Sequence, residues 1–287
     1  MKARSLLIAG FGDIGAGLVD QLNDSVDIYG LRRQVQRLPA TVRPVAADVT
    51  DASSLAAIKP VDSVVVTLTP GGFSDDNYRR VYVEGLRHLI AQIQQWPSAP
   101  LVVFVSSTSV YGQGAGEAVD ENSPAEPTGF SGRRLREAEI QLAASGLPYI
   151  IVRFGGIYGP GRYRLIEQVR AGEGCPKKPP LYTNRIHRDD CVGFIAHLLQ
   201  QYWAGELIES LYLAVDNESA TLFEVKQWLA SQLGCTLSVL VEAPRRNSKR
   251  CINTRLRASG YTLKYPTFRD GYAAVLNEWR RSASTTQ

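Results

Sequence analysis

The feature that most restricts this chain is a glycine pattern set directly behind a short apolar run. Residues 5–9 (SLLIA) lead at once into Gly10-Phe11-Gly12-Asp13-Ile14-Gly15, and an amphipathic stretch, 16–23, follows. A bare G-x-G-x-x-G is a weak signal, but between a strand and a helix it is a strong one. The first glycine permits a tight turn, the second lets backbone approach a pyrophosphate, and the third lets the helix close on the strand. The anion would rest on free N–H groups at the positive end of the helix dipole. The competing reading, a glycine-rich turn with no ligand, fits this order of strand, glycines and helix less well.

Further short apolar runs recur at 26–29, 42–46, 64–68, 101–105, 149–152 and 211–215. Such runs suit strands buried on both faces. Helical stretches, clearest at 16–23, 78–96 and 132–145, lie between them. Strand alternating with helix predicts an α/β fold of Rossmann type, a doubly wound parallel sheet with right-handed crossovers. The regularity fades after Phe154. The stretches 155–161 (GGIYGPG) and 172–180 (GEGCPKKPP) read as loops. Residues 221–234 read as a helix with Thr221 as N-cap and Glu224 completing a capping box. The expected division is a dinucleotide-binding domain (1–155 plus about 186–215), a smaller mixed substrate lobe (about 156–185 plus 216–280), and a frayed tail over 281–287.

Several function classes are excluded early. Lys and Arg number 32 against 28 Asp and Glu, a net charge of +4. That excess is too small to imply nucleic-acid binding, though it would suit an anionic small molecule. Cys175, Cys191, Cys235 and Cys251 form no C-x-x-C pair, and the three histidines have no metal-ligand spacing, so no metal is expected. The cysteines read as buried small hydrophobes in a reducing compartment. The N-terminal apolar stretch is too short for a signal-peptide core, and no run approaches the ~18 residues of a membrane span. A cytoplasmic protein without membrane attachment is the expectation.

The end of the second strand would meet the adenosine ribose. NAD sites usually place an acid there, about 20 residues past the glycines. Here the segment is Tyr29-Gly30-Leu31-Arg32-Arg33, and the nearest acid, Asp27, falls early in the strand. Two guanidiniums suit a 2′-phosphate, which favours NADP over NAD, with NAD still possible. A solvated basic turn is the competing reading. Asp48, beside Val49, could accept from the adenine amino group or cap a helix starting near Ser53. Both readings stay open.

Three later segments carry a family resemblance: Ser106-Ser107-Thr108-Ser109-Val110-Tyr111-Gly112, Arg153-Phe154-Gly155-Gly156-Ile157-Tyr158-Gly159-Pro160, and Ile186-His187-Arg188-Asp189-Asp190. Together they resemble the fifth-strand motif, the "R…YGP" loop and the "hVdD" segment of the extended short-chain dehydrogenase/reductases, the NAD-dependent epimerase/dehydratase group. The resemblance runs over nearly the whole chain and implies a Rossmann domain with a C-terminal substrate lobe. It also implies cofactor contacts from Leu68, Thr69, Phe154 and Ile157, and a homodimer formed through 78–96 and 132–145. Arg87, His88, Arg133 and Arg136 put many charges near that face.

The family's chemistry uses a Ser, a Tyr, a Lys four residues after it and often an Asn. Ser107 matches the Ser. The Y-x-x-x-K helix reads Phe130-Ser131-Gly132-Arg133-Arg134, so Phe130 stands at the Tyr position and Arg134 at the Lys position; the Asn position falls near Tyr82. Phe has no proton to give, whereas Arg134 could still hold ribose hydroxyls. Tyr111 or Tyr158 could stand in as the acid, against a reading of each as a packed loop aromatic. Gly156 replaces a phosphate-contacting Asn, which weakens a nucleotide-sugar assignment. Arg245-Arg246 and Lys249-Arg250 fall where such enzymes carry a substrate Arg, or form a solvated loop. His187 and His197 read as packing and local hydrogen-bonding residues. The expectation is an atypical oxidoreductase or epimerase-like enzyme; the alternative is a catalytically inactive NADP(H)-binding sensor or regulatory protein.

Overall fold

The computed structural model describes residues 4–22, 26–238 and 248–284, the side chains of 282–284 excepted. Seven strands, β1 (Arg4–Ala9), β2 (Val26–Arg32), β3 (Arg43–Ala46), β4 (Ser63–Val66), β5 (Leu101–Ser107), β6 (Tyr149–Phe154) and β7 (Leu211–Ala214), form one sheet in the order β7-β6-β5-β4-β1-β2-β3. The pairings of β1 with β2 and β4, of β2 with β3, and of β4 with β5 are all parallel. Strand order therefore reverses beside β1, the switch point at which doubly wound sheets bind ligands. The central strands are apolar because both faces are covered: Leu6 to Ala9, Val64 to Val66 and Val102 to Phe104 are all 0% exposed.

The chain divides into two compact units. The first comprises residues 1–111, 124–153 and 192–212. Its helices include Asp13–Leu22 behind the glycines and Phe130–Ala143 behind β5. The amphipathic stretch at 78–96 is a composite: Asp75–Tyr78, a π-helical segment Arg79–Glu84, and Gly85–Ile93.

The second unit comprises residues 112–123, 154–191 and 213–287. Ala115–Val119 pairs in parallel with Ser248–Cys251, which is why 112–123 joins this unit and not the first, where local sequence placed it. The stretch 156–158, expected as loop, is a short strand paired with Arg185–His187. The "hVdD" segment up to Cys191 also falls here. The unit's core gathers Ile166, Val169, Val225, Leu229, Phe268 and Tyr272. The capping box on Leu222–Leu233 is formed as read, with Gly234 in the left-handed conformation as C-cap. The helix Phe268–Ser284 runs through the first residues of the expected tail.

Candidate cofactor site and the altered catalytic positions

The glycine turn is pinned between β2 and β4. Gly10 N and Phe11 N donate to Leu31 O at 3.1 and 3.3 Å, and Thr67 Oγ1 donates to Gly10 O at 2.7 Å. Gly10 has φ +89°, and a methyl there would lie 2.9 Å from the backbone of Thr67 and Leu68. At Gly12 a methyl would meet only Gly10 O, at 4.0 Å. The loop thus leaves an open cradle at the second glycine, which is what close approach by a pyrophosphate needs. Gly15 packs on Ile8 and Phe11, where a methyl would sit 3.1–3.3 Å from their side chains. The carboxylate of Asp13 accepts from Ile14 N at 2.9 Å, placing a negative group at the helix N-terminus.

Arg32 closes β2 and is half-buried; Arg33 follows it with a side chain 76% exposed, its guanidinium 3.9 Å from Asp48. Asp48 Oδ1 accepts from Thr50 N and Thr50 Oγ1 at 3.0 and 2.9 Å. The helix-cap reading of Asp48 is corrected: the cap on Ala52–Ala57 is Asp51, which accepts from Ser53 N, while Asp48 folds over its own turn. Val49 is buried with its carbonyl 3.0 Å from His88 Nδ1. Leu68, half-buried, and Thr69, exposed, follow β4.

Ser107 ends β5, and its hydroxyl accepts from Ser109 N at 3.1 Å. Gly132 lets the helix Phe130–Ala143 press on this turn, since a Cβ there would collide with Ser109 O. Phe130 lies in an aromatic row: its ring is 4.8 Å from Phe73 and 5.5 Å from Tyr78, and Tyr78 is 5.3 Å from Tyr82. Burial raises the pKa of Tyr78 and of Tyr82, so both phenols stay protonated. The Arg134 fork grips Asp75, with Nε–Oδ1 at 2.7 Å and Nη2–Oδ2 at 3.0 Å, and Nη1 reaches Glu137 at 3.0 Å. Those bonds hold the Asp75 carboxyl below the ordinary range. The guanidinium expected to be available for ribose hydroxyls is therefore engaged with two carboxylates.

Neither candidate stand-in acid presents its hydroxyl, which corrects that expectation. Tyr111 is fully buried, and its hydroxyl accepts from Arg153 Nη1 at 2.8 Å. Tyr158 lies in the core of the second unit, stacked on Tyr272 at 4.4 Å; desolvation raises its pKa, and its hydroxyl has no partner among the described residues. Beneath Ser107 lies a network that sequence reading missed. Buried Glu139 accepts from Arg153 Nε and Nη2 (2.9 and 2.7 Å), Ser106 Oγ (2.6 Å) and Arg136 Nη1 (3.1 Å). Asp75 was missed as well, because its partner stands 59 residues away and no local pattern signals the pair.

In the second unit, Phe154 is buried and Ile157 half-buried on the short strand Gly156–Tyr158. His187 is buried, accepts from Asp189 N at 3.1 Å, and is pushed down to about 4 by burial. Asp190 accepts from Tyr261 OH and from the backbone N–H of Lys264 and Tyr265, so this segment acts as a tether. His197 lies on the helix Arg188–Ala204. Lys249 is buried and Arg250 donates to Gly116 O at 2.9 Å, so their strand is committed to pairing. Arg245 and Arg246 lie outside the described residues. All four cysteines are free thiols, and no group of metal-ligating side chains occurs among the described residues. No described helix is long and apolar enough to cross a membrane.

This geometry agrees with what comparison finds. A family model described as NAD(P)H-binding matches residues 10–201. The chain is 33% identical to Protein YeeZ of Escherichia coli over 210 residues, 72% of this chain and 69% of that protein. It is 28% identical to a 3-diazoavenalumate denitrifying reductase of a Streptomyces species, covering 93% and 98% of the two chains. A solved structure from Methylobacillus flagellatus, assigned to the NAD-dependent epimerases/dehydratases, is 40% identical, with a TM-score of 0.83 over 97% of this chain and all of that one. A switch-point glycine cradle on a doubly wound sheet defines the class as dinucleotide-binding. Within that class, the chain belongs to the NAD-dependent epimerase/dehydratase family of short-chain dehydrogenases/reductases, as an atypical member.

Proposed function

We propose that this protein binds NADP(H) and works as an atypical oxidoreductase or epimerase-like enzyme on a small, anionic substrate. The observation that carries the reading is the cradle over Gly12, pinned between β2 and β4, with Arg32 and Arg33 at the end of β2 where NAD sites place an acid. The cradle suits the pyrophosphate and the arginines suit a 2′-phosphate. When bound, the nicotinamide would supply hydride transfer. Ser107 would orient the substrate oxygen. The relative named as a reductase supports redox chemistry in this family branch.

Fluorescence titration tests cofactor choice. A 2′-phosphate contact of roughly 1.5–3 kcal/mol corresponds to about a tenfold or greater preference for NADPH. Equal affinity for NADH, or undiminished NADPH binding by an Arg32→Ala/Arg33→Ala variant, refutes it.

A second reading, cofactor binding without turnover, is favoured by Phe130 and by the Asp75–Arg134 pair. General acid transfer is worth about 10²–10⁴-fold, so loss of the family Tyr is costly. NADPH oxidation against a carbonyl panel separates the readings. Turnover supports the enzyme; tight binding with none, and recovery in Phe130→Tyr/Arg134→Lys, supports the sensor. We also propose a cytoplasmic homodimer joined through 78–96 and 132–145. Light scattering at micromolar concentration checks the dimer, and a monomer mass removes it.

A further inference from the structure

Within the second unit, the loop 172–180 and the helix Leu222–Leu233 enclose a cavity of about 210 Å3 whose walls include Pro176, Lys177, Phe223, Lys226 and Leu237. Lys226 breaks the helix pattern. It shares the buried face with Val225, Leu229 and Ala230 and is 5% exposed. Its ammonium donates to Glu173 O at 2.8 Å and Gly174 O at 3.2 Å. Among the described residues no carboxylate pairs with it. An ammonium has three donors, and two neutral carbonyls tether the loop without supplying a counter-charge. Burying a cation in that state is costly. The second charged residue of the lining, Lys177, is also a cation, held over the Phe223 ring at 5.8 Å, and among the described residues no acid lines the cavity. Burial raises the Cys175 thiol, so it adds no negative charge.

We propose that this cavity binds a small organic carboxylate. The carboxylate accepts the remaining Lys226 N–H and faces Lys177, while an apolar body lies against Pro176, Phe223 and Leu237. Apolar walls with a few convergent polar groups are the usual composition of a small-molecule site. The proposal does not depend on the dinucleotide reading, because every residue it uses lies in the second unit.

The test is a titration of the full chain with benzoate, and with benzamide as its neutral isostere, followed by amide chemical shifts. Saturable benzoate binding at least tenfold tighter than benzamide is expected, as a charge-assisted bond of about 1.4 kcal/mol or more gives. Shift changes should centre on Cys175, Lys177, Phe223 and Gln227. Lys226→Met should weaken benzoate tenfold or more and Lys177→Gln two- to fivefold, with circular dichroism confirming the fold. Should Lys226→Met fail to fold, the benzamide comparison and Lys177→Gln still decide. Absent saturation, equal affinity for benzamide, or shifts centred elsewhere overturns the proposal.

Discussion

Glu139 is the residue whose loss should be felt most. Its carboxylate is fully buried and takes four hydrogen bonds: two from the Arg153 fork, one from Ser106 and one from Arg136. Arg153 is itself 2% exposed, and its other contact is the Tyr111 hydroxyl. Glu139→Ala therefore leaves a buried guanidinium without its counter-ion, a fault that costs about 3–5 kcal/mol. That is a large share of the ~5–15 kcal/mol by which a domain is stable. Glu139→Gln keeps the shape and loses the charge, and should cost about 1.5–3 kcal/mol. Glu139→Met/Arg153→Met removes both charges, and should cost clearly less than the sum of its two single variants. Urea unfolding followed by tryptophan fluorescence and circular dichroism measures each loss. A Glu139→Ala variant within about 1 kcal/mol of the parent, or a double variant equal to the sum, would show that the network does not act as a coupled ion pair.

Other consequences follow from single sites. Gly10→Ala should abolish NADPH binding and lower stability by about 1–3 kcal/mol, because φ is +89° and the Cβ meets the Thr67–Leu68 backbone; unchanged fluorescence titration would contradict this. Burial pushes Asp216 up to about 7, and one of its oxygens is buried without a partner among the described residues. The folded state then holds a proton that the unfolded chain releases above about 4, so stability falls as pH rises from about 4 to 7 and the burden is complete above that. Asp216→Asn should stabilise by on the order of 2 kcal/mol at pH 8 and by little at pH 4; thermal melts across that range check the sign. Thr221→Ala removes a capping box and should cost about 1 kcal/mol, read by denaturant titration.

Much of the fold was legible because its signals are local. β1, the glycines and the helix Asp13–Leu22 stand in consecutive residues, and a strand buried on both faces announces itself as an apolar run. The same holds for the capping box at Thr221 and Glu224, three residues apart. An expectation that Phe130 and Arg134 stand at the family's Tyr and Lys positions could be read from the register of one helix. What those two residues do could not. Arg134 reaches Asp75 across 59 residues, and Phe130 sits among aromatic rings from 73 to 82. Tyr111 and Tyr158 looked alike as loop tyrosines near family motifs. One ties to Arg153, the other stacks on Tyr272, and both are buried. The segment 112–123 changed unit for the same reason, since its strand pairs with residues more than a hundred positions away. Sequence determined the elements, because backbone preference and hydrophobic period act over a few residues. Only tertiary structure decided which charges and hydroxyls meet, because Coulomb and hydrogen-bond partners are chosen by distance in space.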